Sequence, residues 1–148
     1  MARKIIPDVV QGQKLLELAP TTTVRDAARQ MAERRVGAAL VVERGGLVGI
    51  FTERDMMVRI VARGRDPDRT AVGEVMTRDP RTITPDSAAV DALRLMHENG
   101  YRHLPVADPG GVIVGIVSIR DFAGAEFGQI EAEEQFKESF IESLGRGG

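Results

Sequence analysis

The chain has 148 residues, of which 43% are hydrophobic, and a formal net charge of −2. That charge balance gives no reason to expect a nucleic-acid partner, and the lack of cysteine excludes disulfides and thiol nucleophiles. Two histidines make no zinc cluster, no apolar run reaches membrane-spanning length, and the basic start Met1–Pro7 carries too short an apolar stretch for a signal peptide. The expectation is a soluble cytoplasmic protein that needs no metal and meets no nucleic acid or membrane. Seventeen arginines stand against three lysines. Arginine suits bidentate contact with phosphate or carboxylate, although genomic base composition produces the same excess.

Thr21 or Thr22 is placed to cap a first helix through Val24, Ala27, Ala28 and Met31, which Gly37 ends. Ala38 to Val42 reads as a strand, Arg44-Gly45-Gly46 as a turn, and Leu47 to Phe51 as the next strand. Thr52 then caps a helix through Met56, Met57, Ile60 and Val61, and the polar stretch 64–68 is a linker. Arg81-Thr82-Ile83-Thr84 is a short extended segment stopped by Pro85, after which Asp86 or Ser87 caps a helix carrying Ala89, Val90, Leu93 and Met96. Gly100 ends that helix. His103–Val106 is a strand, Asp108-Pro109-Gly110-Gly111 a turn, Val112–Val117 a buried strand, and Ser118–Asp121 the start of another helix. Beyond it, Phe127, Ile130, Phe136, Phe140, Ile141 and Leu144 fall on one broad half of a helical wheel, among glutamates and Lys137.

These elements form a repeat. Gly49-Ile50-Phe51-Thr52-Glu53-Arg54-Asp55 returns as Gly115-Ile116-Val117-Ser118-Ile119-Arg120-Asp121. Upstream pairs such as Met31 and Met96 are offset by 65 (96 − 31), and the pair Asp55 and Asp121 by 66 (121 − 55), so one residue was gained in the turn at 107–111. The register reaches back to Val10 and Val75. The chain thus divides into a unit at 8–64, a unit at 72–126, and a C-terminal helix and tail at 127–148. Neither aromatic-poor unit buries enough surface alone, so the two pack on each other.

The repeated edge carries the chemistry. Thr52 and Ser118 each stand where a strand becomes a helix, beside unpartnered N–H groups that favour anions. Asp55 and Asp121 follow three residues later, on the same face. A carboxylate there can accept two hydrogen bonds from a vicinal diol such as ribose, and the glycines let backbone approach closely. A hydroxyl followed by an acid three residues on is also a capping box that needs no ligand. Ser118, His103 and Asp121 supply the residue types of a catalytic triad, but no nucleophile elbow accompanies them.

Residues 8–122 resemble a tandem pair of cystathionine β-synthase (CBS) domains. The resemblance rests on Gly49-x-x-Thr52-x-x-Asp55 and Gly115-x-x-Ser118-x-x-Asp121, on Tyr101-Arg102-His103-Leu104-Pro105-Val106, and on the lead-in Val72–Thr77. It implies an α/β fold of two β-α-β-β-α units with pseudo-twofold symmetry, plus the C-terminal amphipathic helix. It also implies an adenine nucleotide (AMP, ADP, ATP or NAD(H), with S-adenosylmethionine as a further ligand) in clefts between the units. By analogy Asp121 and Asp55 hold ribose hydroxyls, and Ser118 and Thr52 meet ribose or phosphate. Thr82, Ile83, His103, Leu104 and Pro105 line one pocket, Ala38, Ala39 and Leu40 form the corresponding strand, and Arg102, Arg120 and Arg54 supply charge for phosphate. The halves differ: Glu17 stands where the second unit has Thr82, so the Asp121 site is expected to be the occupied one. The expected function is not catalysis. It is a stand-alone regulatory module, sensing the energy state through its ligand, forming a homodimer and signalling to a protein partner. The alternative is an interaction protein with vestigial clefts, working through dimerisation and its last helix, with Phe136 and Phe140 as anchors.

Overall fold

The computed structural model describes residues 2–146, with side chains described through residue 138 and at Ile141. In the first unit a four-stranded sheet runs in the order β1 (Glu17–Leu18), β2 (Ala38–Glu43), β3 (Gly46–Thr52), β4 (Thr77–Arg78). β1 is parallel to β2 and the other pairs are antiparallel. Helix α1 (Val24–Arg34) covers one face and buries Val24, Ala27 and Met31, the i, i+3, i+7 stripe read from the sequence. Its cap is Thr23, whose Oγ1 accepts from Asp26 N at 3.1 Å, rather than Thr21 or Thr22. Arg35, in the left-handed region at φ 55°, ends α1 two residues before Gly37. Helix α2 (Glu53–Asp55) continues into a wider turn at Met56–Val61, which buries Ile60.

The second unit repeats this plan with fewer regular strands. β5 (His103–Ala107) pairs antiparallel with β6 (Ile113–Ser118). The extended segment expected at 81–84 is reduced to one parallel bridge, Ile83 to Val106, in the place β1 holds in the first unit. Helix α4 (Ala89–Asn99) buries Ala89, Ala92, Leu93 and Met96 and ends at Gly100, with φ 72°. Neither Asp86 nor Ser87 caps it. The position falls to Ala88, and Ala89 N donates to the carbonyl of Arg3 at 2.7 Å, so backbone from the chain start replaces a capping side chain. After β6 the chain makes only a 3-10 turn (Ile119–Asp121), is extended at Phe122, and enters α5 (Gly124–Arg146). The last helix therefore begins three residues before the 127 read from the sequence, and it packs on α4.

Each unit is completed by the segment that precedes the other. Ile5 N donates to Ser87 O and Ile6 N to Pro85 O, both at 2.9 Å, which places Ile5 and Val10 in the core of unit two. Helix α3 (Val72–Val75) places Val72 and Val75 in the core of unit one, with Met76 beside them. Val10 and Val75, the outermost pair of the repeat, are thus exchanged between units. Burying each such aliphatic side chain contributes about 1.5–3 kcal/mol, so the exchange holds the two halves together. Ala38, Leu40, Ile50 and Pro105 are buried but belong to neither core. Strand alternation sets them on the faces away from the helices.

Helix α5 meets α4 through a mixed face. Ile130 enters the core, while Glu133 receives Arg94 Nη2 at 2.6 Å and Nε at 3.0 Å, and Glu134 pairs with His97. Phe127 and Phe136 stay exposed, and the side chains of Phe140 and Leu144 lie outside the described residues. Among the described residues no helix is long and apolar enough to cross a membrane.

Candidate ligand cleft

The two edges are built alike. Ala38 is paired with Thr52, and His103 with Ser118, at the ends of the two hairpins. Glu53 N donates to Gly37 O at 3.0 Å, and Ile119 N to Arg102 O at 2.9 Å, so in each unit the helix start is tied to the residue before the inner strand. Directly opposed residues share a face, which sets the His103 imidazole beside the Ser118 hydroxyl.

Both carboxylates are capping groups. Thr52 N donates to Asp55 Oδ2 at 3.0 Å, and Asp55 N donates to Thr52 Oγ1 at 3.1 Å. Ser118 N donates to Asp121 Oδ2 at 2.6 Å, and Arg120 N donates to Ser118 Oγ at 3.4 Å. The cap and the ligand edge are therefore the same groups, and the difference lies in the second carboxylate oxygen. Asp55 is 8% exposed, and its Oδ1 accepts from Thr77 Oγ1 at 3.4 Å with Arg59 Nε 3.8 Å away. No hydrogen bond or ion pair reaches Asp121 Oδ1 among the described residues, and Asp121 is only half-buried.

Around Asp121 the cleft gathers groups from both units. Arg120 Nη2 lies 3.6 Å from Glu53 Oε1, across the units. A Cβ on Gly37 would stand 2.9 Å from that same Oε1 and 3.4 Å from His103 Nε2, so carboxylate and imidazole share the space beside this glycine. Burial holds the His103 pKa below the ordinary histidine value. Glu53 and Asp121 oppose that shift, and Arg120 and Arg102 reinforce it. The imidazole is consequently neutral at neutral pH, and a nearby dianion would draw a proton onto it.

The remaining predicted residues divide. Ile83 joins β5, donating to Pro105 O at 3.0 Å and accepting from Ala107 N at 2.8 Å, with exposed Thr82 next to it. Arg54 and Arg102 are exposed. Leu104 and Ala39 point into the two cores, so only their backbone faces the other way. Two surface concavities, of about 430 Å³ between α1 and the Glu53–Val61 helix and about 380 Å³ beside β3 and β4, include none of the predicted ligand residues. No group of three or more His, Asp or Glu side chains able to hold a metal occurs among the described residues.

The repeated glycines play a different part from the one read in the sequence. A Cβ on Gly49 would collide with Met76 Sδ and stand 2.8 Å from Thr77 O, and one on Gly115 would meet Gln13 Oε1 at 3.0 Å. The close approach is made by the protein's own chain. In unit one this neighbour is strand β4. In unit two it is Gln13, whose side-chain amide donates to Ile116 O and accepts from Ile116 N, both at 2.9 Å. Thr77, Arg59 and Gln13 were not among the site residues read from sequence, yet the repeat offset that aligns Thr77 with Gly12 (77 − 12 = 65) was the signal that distinguishes the two carboxylates.

Comparison with known proteins agrees with this plan. The CBS-domain family profile matches residues 8–62 and 72–128. The chain is 41% identical over 126 residues to an uncharacterized 17.7 kDa protein of the bps2 3′ region of Acidianus ambivalens, covering 84% of this chain and 74% of that one. It is 40% identical over 115 residues to the CBS domain-containing protein CBSCBSPB1 of Arabidopsis thaliana, covering 78% of this chain and 21% of that protein. It thus spans about a fifth of the length of CBSCBSPB1, CBSCBSPB2 and CBSCBSPB3 from that plant. Among solved structures it is similar to the CBS domain protein PAE2072 of Pyrobaculum aerophilum complexed with AMP, with a TM-score of 0.73, 28% identity, and coverage of 84% of this chain and 95% of that one. With two matched units that share one plan and exchange their lead-in segments, the chain is a tandem CBS pair and belongs to the CBS-domain family.

Proposed function

We propose that the chain binds an adenine nucleotide in the cleft at Asp121 and acts as a regulatory rather than catalytic protein, passing the ligand level to a protein partner. The observation that carries this reading is the uncommitted oxygen of Asp121, beside Ser118 and on the edge where His103 and Arg120 converge. That oxygen can accept from a ribose hydroxyl while Oδ2 holds the cap, so ligand and fold do not compete. The AMP bound to the Pyrobaculum relative supports the ligand class. Signalling requires that the ligand favour one of two conformations. Here the ligand edge is wired to both ends of the chain, since Arg3 Nη2 donates to Asp121 O at 3.4 Å and to Glu126 at the start of α5 at 2.6 Å. Calorimetric titration with AMP, ADP, ATP, NAD(H) and S-adenosylmethionine tests the reading. Micromolar binding of at least one is expected, and neither heat nor a thermal shift with any of them would overturn it. A chain with no tryptophan and one tyrosine also makes a retained adenine ring easy to see by ultraviolet absorbance.

The second reading, an interaction protein acting through its last helix, is favoured by Phe127, Phe136 and Ile141, which are 44%, 72% and 68% exposed on α5. We propose that the Phe136 side of this helix, half a turn around from Phe127, supports a homodimer. Deleting residues 127–148 would also strip Ile130 from the core, so Phe136→Glu is the cleaner probe. A dimer that becomes a monomer in sedimentation supports the interface, and an unchanged mass counts against it.

A further inference from the structure

We propose that Glu53 sets how many phosphates the ligand can carry, so that the Asp121 cleft takes a nucleoside monophosphate in preference to a triphosphate. This rests on the nucleotide-binding reading above and goes further, to the choice among nucleotides. Glu53 belongs to the first unit but reaches into the second unit's cleft, where its Oε1 lies 3.6 Å from Arg120 and shares the space beside Gly37 with His103. The repeat counterpart of Glu53 in the second unit is Ile119 (119 − 53 = 66), so only the first unit carries a carboxylate at this position. Charges facing His103 there are Arg102 and Arg120 against Glu53 and Asp121, two of each sign. These four charges cancel, so together they give no net attraction to a highly charged chain of phosphates. One phosphate can displace Glu53 from Arg120 and take its place. Each further phosphate adds negative charge beside Glu53, the carboxylate that faces Arg120. Glu53 and Arg120 side chains are 61% and 83% exposed, so screening limits the effect to a selectivity rather than a block.

The test titrates adenosine, AMP and ATP into the wild-type protein and Glu53→Gln, at low ionic strength with a chelator so that ATP carries its full charge. Tighter binding of AMP than of ATP is expected in the wild type. Glu53→Gln should raise ATP affinity relative to AMP by about five- to tenfold, with adenosine unchanged. An AMP-to-ATP ratio that is the same in both proteins, or ATP binding more tightly than AMP in the wild type, overturns the role of Glu53 and leaves the site standing. Absence of binding by all three ligands overturns the site and this inference together. Melting temperatures of the two proteins should agree, because the substituted side chain is exposed.

Discussion

Thr77 donates its hydroxyl to Asp55 Oδ1 at 3.4 Å, and among the described residues Asp121 Oδ1 has no such partner, because the repeat counterpart of Thr77 is Gly12. Arg59, the other group near Oδ1, has Ala125 as its sequence counterpart (125 − 59 = 66). Two substitutions between the halves thus separate a carboxylate that only caps a helix from one that caps and keeps an oxygen to spare. Duplication made the two edges alike, and the chain segments that flank them made them unequal.

Asp55 is the structural member of the pair. Asp55→Ala removes a cap and the polar group that Thr77 and Arg59 face, and should lower stability by about 1–3 kcal/mol. Asp121→Ala removes a cap at a half-buried position and should cost about 0.5–1 kcal/mol. Urea denaturation of both variants checks this order. Equal losses would mean that the Thr77 contact contributes nothing.

Gly49→Ala should destabilise by about 1–3 kcal/mol, since the added methyl meets backbone as well as the Met76 sulfur. Gly115→Ala should cost less, because the atom it meets is the end of the Gln13 side chain. Gly124→Ala, with nothing within 4 Å, is the control. Denaturation midpoints that fall in the order Gly49, Gly115, Gly124 support chain-to-chain approach as the reason for the repeated glycine.

Arg3 anchors the chain start to α5. Burial would push the Glu126 carboxyl up, but hydrogen bonds from Arg3 and from Ala123 N bring it below its ordinary value of 4.5. A depressed carboxylate stabilises the fold above that value, and the contribution is lost as the pH falls through the folded pKa. Arg3→Ala should therefore cost about 1–2 kcal/mol at neutral pH, with the gap from wild type closing once the pH drops below 4.5. A gap that persists in acid would assign the loss to packing of the arginine stem.

His103 should couple ligand binding to pH. Its folded pKa lies below 6.5, chiefly through burial, with Glu53, Arg120, Asp121 and Arg102 as the charges that face it. Two opposite consequences follow. Folding stability declines as the pH falls through that pKa, because the folded state resists protonation. Affinity for a phosphate-bearing ligand rises over the same range, because the dianion favours imidazolium. The phosphate's own protonation near pH ~6 opposes this, so the readout is the difference between wild type and His103→Gln. Parallel affinity profiles for the two proteins would remove His103 from the phosphate site.

The repeat, its offset and the paired capping motifs were legible because they depend on residue spacing alone. Both inner hairpins, α1 and α4 follow from the same local patterns. Thr52 caps its helix as read, whereas the cap of α4 was misjudged because a tertiary partner decides it: Ala88 serves there because Arg3 supplies a carbonyl. Glycine conservation of the repeat suggested approach by a ligand, whereas Met76 and Gln13 occupy that space. The exchange of lead-in segments was hinted at by the pairing of Val10 with Val75, but a periodic pattern does not say which core an outlying valine enters. The mixed α4–α5 face escaped a helical-wheel reading because Glu133 counts as polar until Arg94 is placed opposite it.

The most direct test is a pair of calorimetric titrations with AMP, using Asp121→Ala and Asp55→Ala beside the wild-type protein. One site per chain is expected in the wild type, lost or weakened at least tenfold in Asp121→Ala and retained in folded Asp55→Ala. Full binding by Asp121→Ala together with loss in Asp55→Ala would contradict the assignment of the ligand to the second unit's edge.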